Sequence, residues 1–253
     1  MTRLANPAVG AWFVALAIAA APTSAATIYE GFNYPTSFTN PAQFSGGTGW
    51  SGAFSGDPIT VETATLTSPS ALPSTGRAIA NTSQQAGDTR ILSRNFAAAF
   101  APNDTVWMSF LVRLDNFPSG YTVRIGGPTG AGVGGGISGY SVHRGDGTSL
   151  LTGTFPPFGP TALMLVRFGP DLFGTRSIDF WGNPAPGALG VPTASTFGQT
   201  GSLSSLHLSM HVFTAFDEFR MDTNLANVFV PAPGPAAGLL GLAAFGARRR
   251  RSV

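Results

Sequence analysis

The stretch TVWMSFLVRL, residues 105–114, decides the fold, because its apolar side chains alternate. Val106, Met108, Phe110, Val112 and Leu114 fall on one side of an extended chain. Successive side chains of a strand point to opposite faces, so this spacing predicts a β-strand with one face against a core. The same reading extends outward. In SLHLSMHVF, residues 205–213, Leu206, Leu208, Met210 and Val212 share one face, and His207, Ser209 and His211 share the other. ALMLVRF (162–168) and RSIDFW (176–181) repeat the pattern, and clusters of Gly, Pro, Asn and Asp separate the runs. No stretch between Thr27 and Phe229 keeps a helical period. Roughly 10–14 short strands are expected, hence an all-β antiparallel sandwich or barrel.

Composition agrees with that class. The chain has 33 Gly and 20 Pro, which alone would approach a low-complexity sequence, but its 20 Phe supply enough large apolar surface for a core. There is no Cys, so disulfides and thiolate metal sites are excluded. The formal charge of +2 comes from the ends, since Arg3 and Arg248–Arg251 lie outside the body. Between Thr27 and Val230 nine Arg face twelve carboxylates, a net of −3 with histidine neutral. A basic patch on the folded domain is what nucleic-acid binding needs, and the composition offers none.

Both ends read as processing segments. Residues 1–26 open with Arg3, continue through an apolar run from Val9 to Ala21, and close on Pro22 and the small residues Thr23, Ser24, Ala25 and Ala26. That is the three-part layout of a secretory signal peptide, with cleavage expected after Ala26. At the other end, Pro231, Pro233 and Pro235 preclude a regular helix before Ala236. The apolar segment Ala236–Ala247 would span about 18 Å as a helix, against about 30 Å of bilayer hydrocarbon. Four arginines follow it directly and would be held on the cytoplasmic side. The two ends thus agree on one topology, with residues 27–229 outside and the arginines inside.

The tail resembles a known signal. Val230, Pro231, Ala232, Pro233 and Gly234, a short apolar segment, and the cluster Arg248, Arg249, Arg250 and Arg251 are similar to the PEP-CTERM sorting signal of exported bacterial proteins. The resemblance implies an exosortase-like membrane sorting enzyme as partner, and transient membrane association through residues 230–253. Ala232 stands where that motif usually carries Glu. The body resembles a group as well. It opens YEGFNYPTSFTNPAQFSGGTGWSGAF (29–54) and closes FDEFRMDTNLANVF (216–229), as do exported proteins with a laminin-G-like or concanavalin-A-like jelly roll. This implies two packed antiparallel sheets, with the first and last strands near each other.

Candidate chemistry is sparse. His207 and His211 are spaced as a helical zinc pair would be, but on a strand they stand about 13 Å apart and read as surface or groove residues. GAGVGG (130–135) matches a dinucleotide fingerprint without a helix after it, and reads as a flexible loop. The RGD of Arg144–Asp146 reads as a tight turn using Gly145 and Gly147. Asp217, Glu218 and Asp222 cluster around Arg220. Strand periodicity puts Glu218, Arg220 and Asp222 on one face and Asp217 with Phe219 and Met221, and predicts a surface Glu218–Arg220 pair. A calcium site at Asp217 is the alternative. Glu62 stands alone in ITVETATL. Trp50, Trp107, Trp181 and Tyr140 are the aromatics available as a sugar platform, though core burial is the commoner fate of Trp.

These residues predict a non-enzymatic cell-surface or matrix protein that needs no cofactor and binds or embeds in extracellular polysaccharide. The alternatives are a glycan-active hydrolase or lyase, which needs a carboxylate pair about 5–10 Å apart on a concave face, and a structural envelope protein with no ligand. N-terminal sequencing of secreted material should begin at Thr27 or within a residue or two of it; mature protein starting at Met1 would refute the export reading.

Overall fold

A computed structural model describes residues 27–68, 74–136, 138–153, 158–184 and 189–229. The leader with Ala26, and the tail with Val230–Gly234 and Arg248–Arg251, lie outside the described residues. In chain order the strands are Ile28–Glu30 (β1), Trp50–Gly56 (β2), Thr60–Val61 (β3), Ile79–Asn81 (β4), Thr89–Phe96 (β5), Val106–Leu114 (β6), Gly120–Ile125 (β7) and Ala131–Gly136 (β8). There follow Gly139–Arg144 (β9), Ser149–Thr152 (β10), Thr161–Phe168 (β11), Arg176–Gly182 (β12), Ala194–Gly198 (β13), Ser205–His211 (β14) and Thr214–Asp222 (β15). One 3-10 turn at Pro41–Gln43 and one short helix, Leu225–Phe229 (α1), complete the described elements. The fifteen strands exceed the expected count because β1, β3 and β4, at two or three residues, are too short to show a period.

The expected antiparallel sandwich is what forms. One sheet has the order β13-β12-β11-β6-β15-β4-β3, with β1 also paired to β15; the other runs β10-β9-β8-β7-β14-β5-β2. Every pairing is antiparallel. The first and last strands do meet: Ile28, Tyr29 and Glu30 pair with Met221, Arg220 and Phe219. The alternating residues of β6 and β14 point inward as their spacing predicted, and join Met164, Val166, Phe180, Val123 and Val142 in one continuous buried cluster between the sheets.

A bulge in β15 corrects one expectation. Its register against β6 shifts between Asp217 and Arg220, and Glu218 takes a left-handed backbone (φ 53°). The extra residue resets the alternation, so Phe216 and Phe219 both enter the core although they are three apart. Asp217 therefore faces outward with Arg220 and Asp222, and not with Phe219 and Met221.

The two outer faces differ. That of the eight-stranded sheet is covered twice. Leu66, Ala78 and Ala80 pack on Leu111, Leu163 and Ala215, and α1 lays Val228 and Leu225 over Leu165, Trp107 and Trp181. Strands β6 and β11 are buried on both sides as a result, which is why their apolar runs are nearly continuous. The outer face of the seven-stranded sheet carries no such cover among the described residues.

An ion pair ties the sheets together inside the core. Arg94 of β5 donates to Glu30 of β1 at 2.7 Å, with both side chains 2% exposed. Glu30 also accepts from the Tyr34 hydroxyl at 2.9 Å and the Phe32 amide at 3.0 Å. The Arg94 guanidinium donates to the Gly52 carbonyl at 2.8 Å and lies 4.8 Å from the Trp50 ring and 5.0 Å from the Phe54 ring. A buried charge that loses its partner costs about 3–5 kcal/mol. Arg94→Met in the full chain should lower the urea-unfolding free energy by that much, and adding Glu30→Gln should restore most of it. A single variant within about 1 kcal/mol of wild type would remove the pair from its structural role.

Candidate functional site

The exposed face of the seven-stranded sheet is built in rows by strand register. One row runs Ser93, His207, Arg124, Gly132, His143 and Ser149 across β5, β14, β7, β8, β9 and β10. The next runs Ile91, Ser209, Thr122, Gly134, Ser141 and Leu151 over the same strands. The third places His211 beside Thr89, and Gly120 beside Gly136 and Gly139. All three histidines of the chain sit on this face. Hydroxyls and glycines make up most of the rest, with Ile91 and Leu151 at the margins, and the centre of the face has one charged side chain, Arg124.

Strand β8 gives the face its shape. Gly132, Gly134 and Gly136 point outward, so the middle of the sheet has no side chains and its neighbours stand above it as walls. The absence of Cβ is required: one at Gly132 would lie 1.9 Å from the Val123 carbonyl oxygen, and one at Gly134 would lie 2.7 Å from that of Tyr121. The result is a groove of about 350 Å³. His211 and Thr122 border it on one side, Ser141, His143 and Leu151 on the other, and Pro118 and Ser119 at one end. Among the described lining residues there is no carboxylate. A second cleft, of about 260 Å³, lies at another edge beside Arg90, whose guanidinium is already paired to Asp88 at 2.8 Å.

Two of the imidazoles in this face, His143 and His207, are held towards the neutral form. Burial, reinforced by the Arg124 charge, pushes His143 down to about 4, and the same two causes lower His207. Arg124 approaches Nδ1 of His143 at 3.1 Å. Guanidinium can only donate, so Nδ1 is the acceptor there and also accepts from Ser149 Oγ at 2.7 Å. The remaining proton sits on Nε2 and is donated to Ser141 Oγ at 3.2 Å. On the other side of Arg124, His207 Nδ1 and Ser93 Oγ are 2.8 Å apart. The arrangement can donate and accept hydrogen bonds across a shallow polar floor.

The structure sorts the remaining sequence candidates. His207 and His211 do lie on one strand face, and His211 lines the groove. The flexible loop expected at 130–135 is instead largely the central strand β8; a strand whose outward positions are all glycine shows no polar–apolar alternation. The RGD segment is the expected turn after β9, with Gly145 and Gly147 at positive φ and the Thr148 amide donating to Asp146 at 2.8 Å. Trp50 and Tyr140 face the inter-sheet core, and Trp107 and Trp181 pack together under α1 at 5.8 Å between centroids, so none of the four is a platform in the groove. Glu62 pairs with Arg113 at 3.0 Å. Glu218 and Arg220 do pair, but both side chains are at most 5% exposed; the expected surface pair is buried, because Tyr29 and the Thr75 backbone close over it. Asp217 accepts from the Thr65 hydroxyl and the Leu66 and Glu218 amides. Three donors take up most of the acceptor capacity of that buried carboxylate, and no second acidic or imidazole ligand set stands beside it among the described residues. Among the described residues no group of three or more His, Asp or Glu could hold a metal ion. No described helix is long and apolar enough to cross a membrane. Sequence reasoning missed Arg124, His143, Ser141 and Thr122. The polar alternation of YTVRI and YSVHR was there to find, but only strand register shows that they meet.

No known family profile matches the chain, and no curated protein matches it in sequence. Among solved structures it is similar to a protein of unknown function from Shewanella oneidensis, at 9% identity over 83% of this chain and 92% of that one, TM-score 0.47. It is also similar to an endo-beta-1,4-glucuronan lyase from the fungus Trichoderma reesei, at 11% identity over 77% and 98%, TM-score 0.44. A third is the calcium-bound exoplasmic/lumenal domain of VIP36, at 11% identity over 74% and 90%, TM-score 0.41. At these scores the likeness is one of sandwich architecture and carries nothing about ligands.

The buried carboxylate on the opposite face makes its own prediction. Burial first, and the charge of Glu218 in addition, push Asp217 up from 3.8 to about 7. The folded state then holds this proton more tightly than the unfolded chain. Its contribution to stability is greatest below about pH 4 and is lost as pH rises towards 7. The difference in unfolding free energy between wild type and Asp217→Asn should therefore fall from pH 4 to 7, by at most about 1.4 kcal/mol per pH unit, and level off above. A difference that rises over this range would mean the hydrogen bonds to the carboxylate outweigh its burial.

Proposed function

We propose that the chain is an exported surface or matrix protein whose sandwich binds extracellular polysaccharide in the groove over β8, without turning it over. The observation that carries the reading is the glycine-floored groove walled by hydroxyls and by the imidazoles of His143 and His211. Carbohydrate presents alternating donors and acceptors on a flat apolar ring, and such a wall can match both. The groove lies across the strands and is open at the surface, which suits a stretch of linear polymer. Phe117, 58% exposed and next to Pro118 at the groove's end, offers a ring for stacking; Leu151, 59% exposed, offers an apolar wall opposite.

The absence of turnover is argued from what the groove holds. Glycoside hydrolysis needs two carboxyl groups flanking the scissile bond. The described lining residues supply none, and Glu30, Asp217 and Glu218 are committed to buried partners elsewhere. Elimination needs a base, and His143, pushed down to about 4 by burial, is a weak proton acceptor at neutral pH. Placement outside the cell, and an exosortase-type enzyme as sorting partner, rest on the pattern of residues 1–26 and 230–253 described above.

The test is a variant that fills the groove and spares the fold. A Cβ at Gly136 would meet its nearest atom, the Ser119 carbonyl oxygen, at 3.4 Å, so a side chain fits there and projects over the floor. Gly136→Leu should abolish retention on a polysaccharide panel with little change in thermal unfolding. Release of reducing or unsaturated ends by wild type, lost on His143→Ala, would replace binding with catalysis. Retention unaffected by Gly136→Leu would move the site off this face.

A further inference from the structure

We infer that the polymer bound in this groove is anionic, and that Arg124 recognises its carboxylate or sulfate groups; the inference rests on the groove being the binding site. Arg124 is one of four described arginines, with Arg77, Arg144 and Arg176, that form no ion pair with a described carboxylate, and of these it is the one that contacts a groove-wall residue. Arg90, Arg94, Arg113, Arg167 and Arg220 each have a carboxylate of this chain within 3.0 Å. Arg124 has none. Its guanidinium donates to the Gly130 carbonyl and to His143, both at 3.1 Å, which uses two of its five N–H groups. Those two bonds fix the plane of the guanidinium, and neither neutralises its charge.

Its position puts that charge behind the His143 wall of the groove, next to the lining and not in it. His143, which Arg124 contacts, is a wall residue, and Thr122, two residues earlier on β7, is another. Two residues of strand are about 7 Å, roughly the scale of one sugar ring. The side chain reaches His143 across Gly132, where a residue of any other type would block it. A partly desolvated cation with fixed orientation and no anion is a recognition element for a planar oxyanion, which guanidinium binds through paired donors. The two flanking imidazoles leave its positive charge uncompensated by any acid. Neutral glycans could accept hydrogen bonds here but would gain nothing from the charge.

The experiment compares polymers that differ only in charge, using the full chain: polygalacturonate against its methyl ester, and dextran sulfate against dextran. The expected result is at least tenfold tighter binding of one charged polymer than of its neutral counterpart, weakening with salt. Arg124→Gln should erase that preference and Arg124→Lys should keep part of it. Thermal unfolding of both variants verifies the fold. The tail arginines also attract polyanions, but they are present in every variant, so the loss on Arg124→Gln isolates the groove. A preference for polygalacturonate identifies uronate as the ligand group, and one for dextran sulfate a sulfate ester. Equal binding of charged and neutral polymers, blocked by Gly136→Leu, would overturn the anion inference and leave the groove standing. A charge preference untouched by Arg124→Gln would overturn it in favour of the tail. No binding by any polymer would overturn both.

Discussion

The sandwich depends on one buried charge pair. Glu30 sits on a three-residue strand at one sheet's margin, too short to hold itself in place by main-chain bonds. Arg94 reaches it from the other sheet, and the contact fixes the spacing and alignment of the two layers at that end. Burial raises the Glu30 carboxyl, and the Tyr34 hydroxyl, the Arg94 charge and the Phe32 amide work against that rise. The residues that looked like a family signature at both ends of the body serve this clasp. Trp50 donates its indole N–H to the Tyr29 carbonyl at 3.0 Å and packs on Phe219 of β15. Gly47 has φ 77°, and a Cβ there would lie 2.3 Å from the Tyr29 carbonyl oxygen, which accounts for one glycine of the GGTGW run. The beginning and end of the body are thus legible as motifs because they meet.

The bulge at Glu218 has a second effect beyond resetting the alternation. It divides one edge of β15 between two partners, with β4 pairing Thr214–Phe216 and β1 pairing Phe219–Met221. The acidic residues that look catalytic in sequence are the ones that stabilise this junction. Asp217 holds the segment at Thr65 and Leu66, Glu218 holds Thr75 and Arg220, and Asp222 accepts from Thr27, Asn224 and Asn227. Acidic clustering here reflects the number of loop amides that a sheet edge must satisfy.

The sandwich was readable wherever one strand face is apolar and the other polar, as in β6 and β14. It was unreadable where the outward positions are glycine. Strand β8 carries only Ala131 and Val133 as inward markers, so its run resembles a loop. The same glycines make the groove, so the element that shapes the candidate site was the one hidden from periodicity. His207 and His211 could be assigned to an outward face from β14 alone. Arg124 and His143 are nineteen residues apart, and their contact exists only because a strand with glycine at its outward positions lies between them.

The covered face bears on how the domain would be displayed. Helix α1 ends at Phe229 on the outside of the eight-stranded sheet, with Ser109 donating to the Val228 carbonyl at 2.9 Å. Thr27, where the described chain begins, is bonded to Asp222 at the end of β15 in the same sheet. Both departure points therefore belong to the layer away from the groove, and two packed sheets stand between them and it. A chain held at a surface through residues beyond Phe229 would turn its glycine-floored face outward, with the covering segments serving as the base on which it stands.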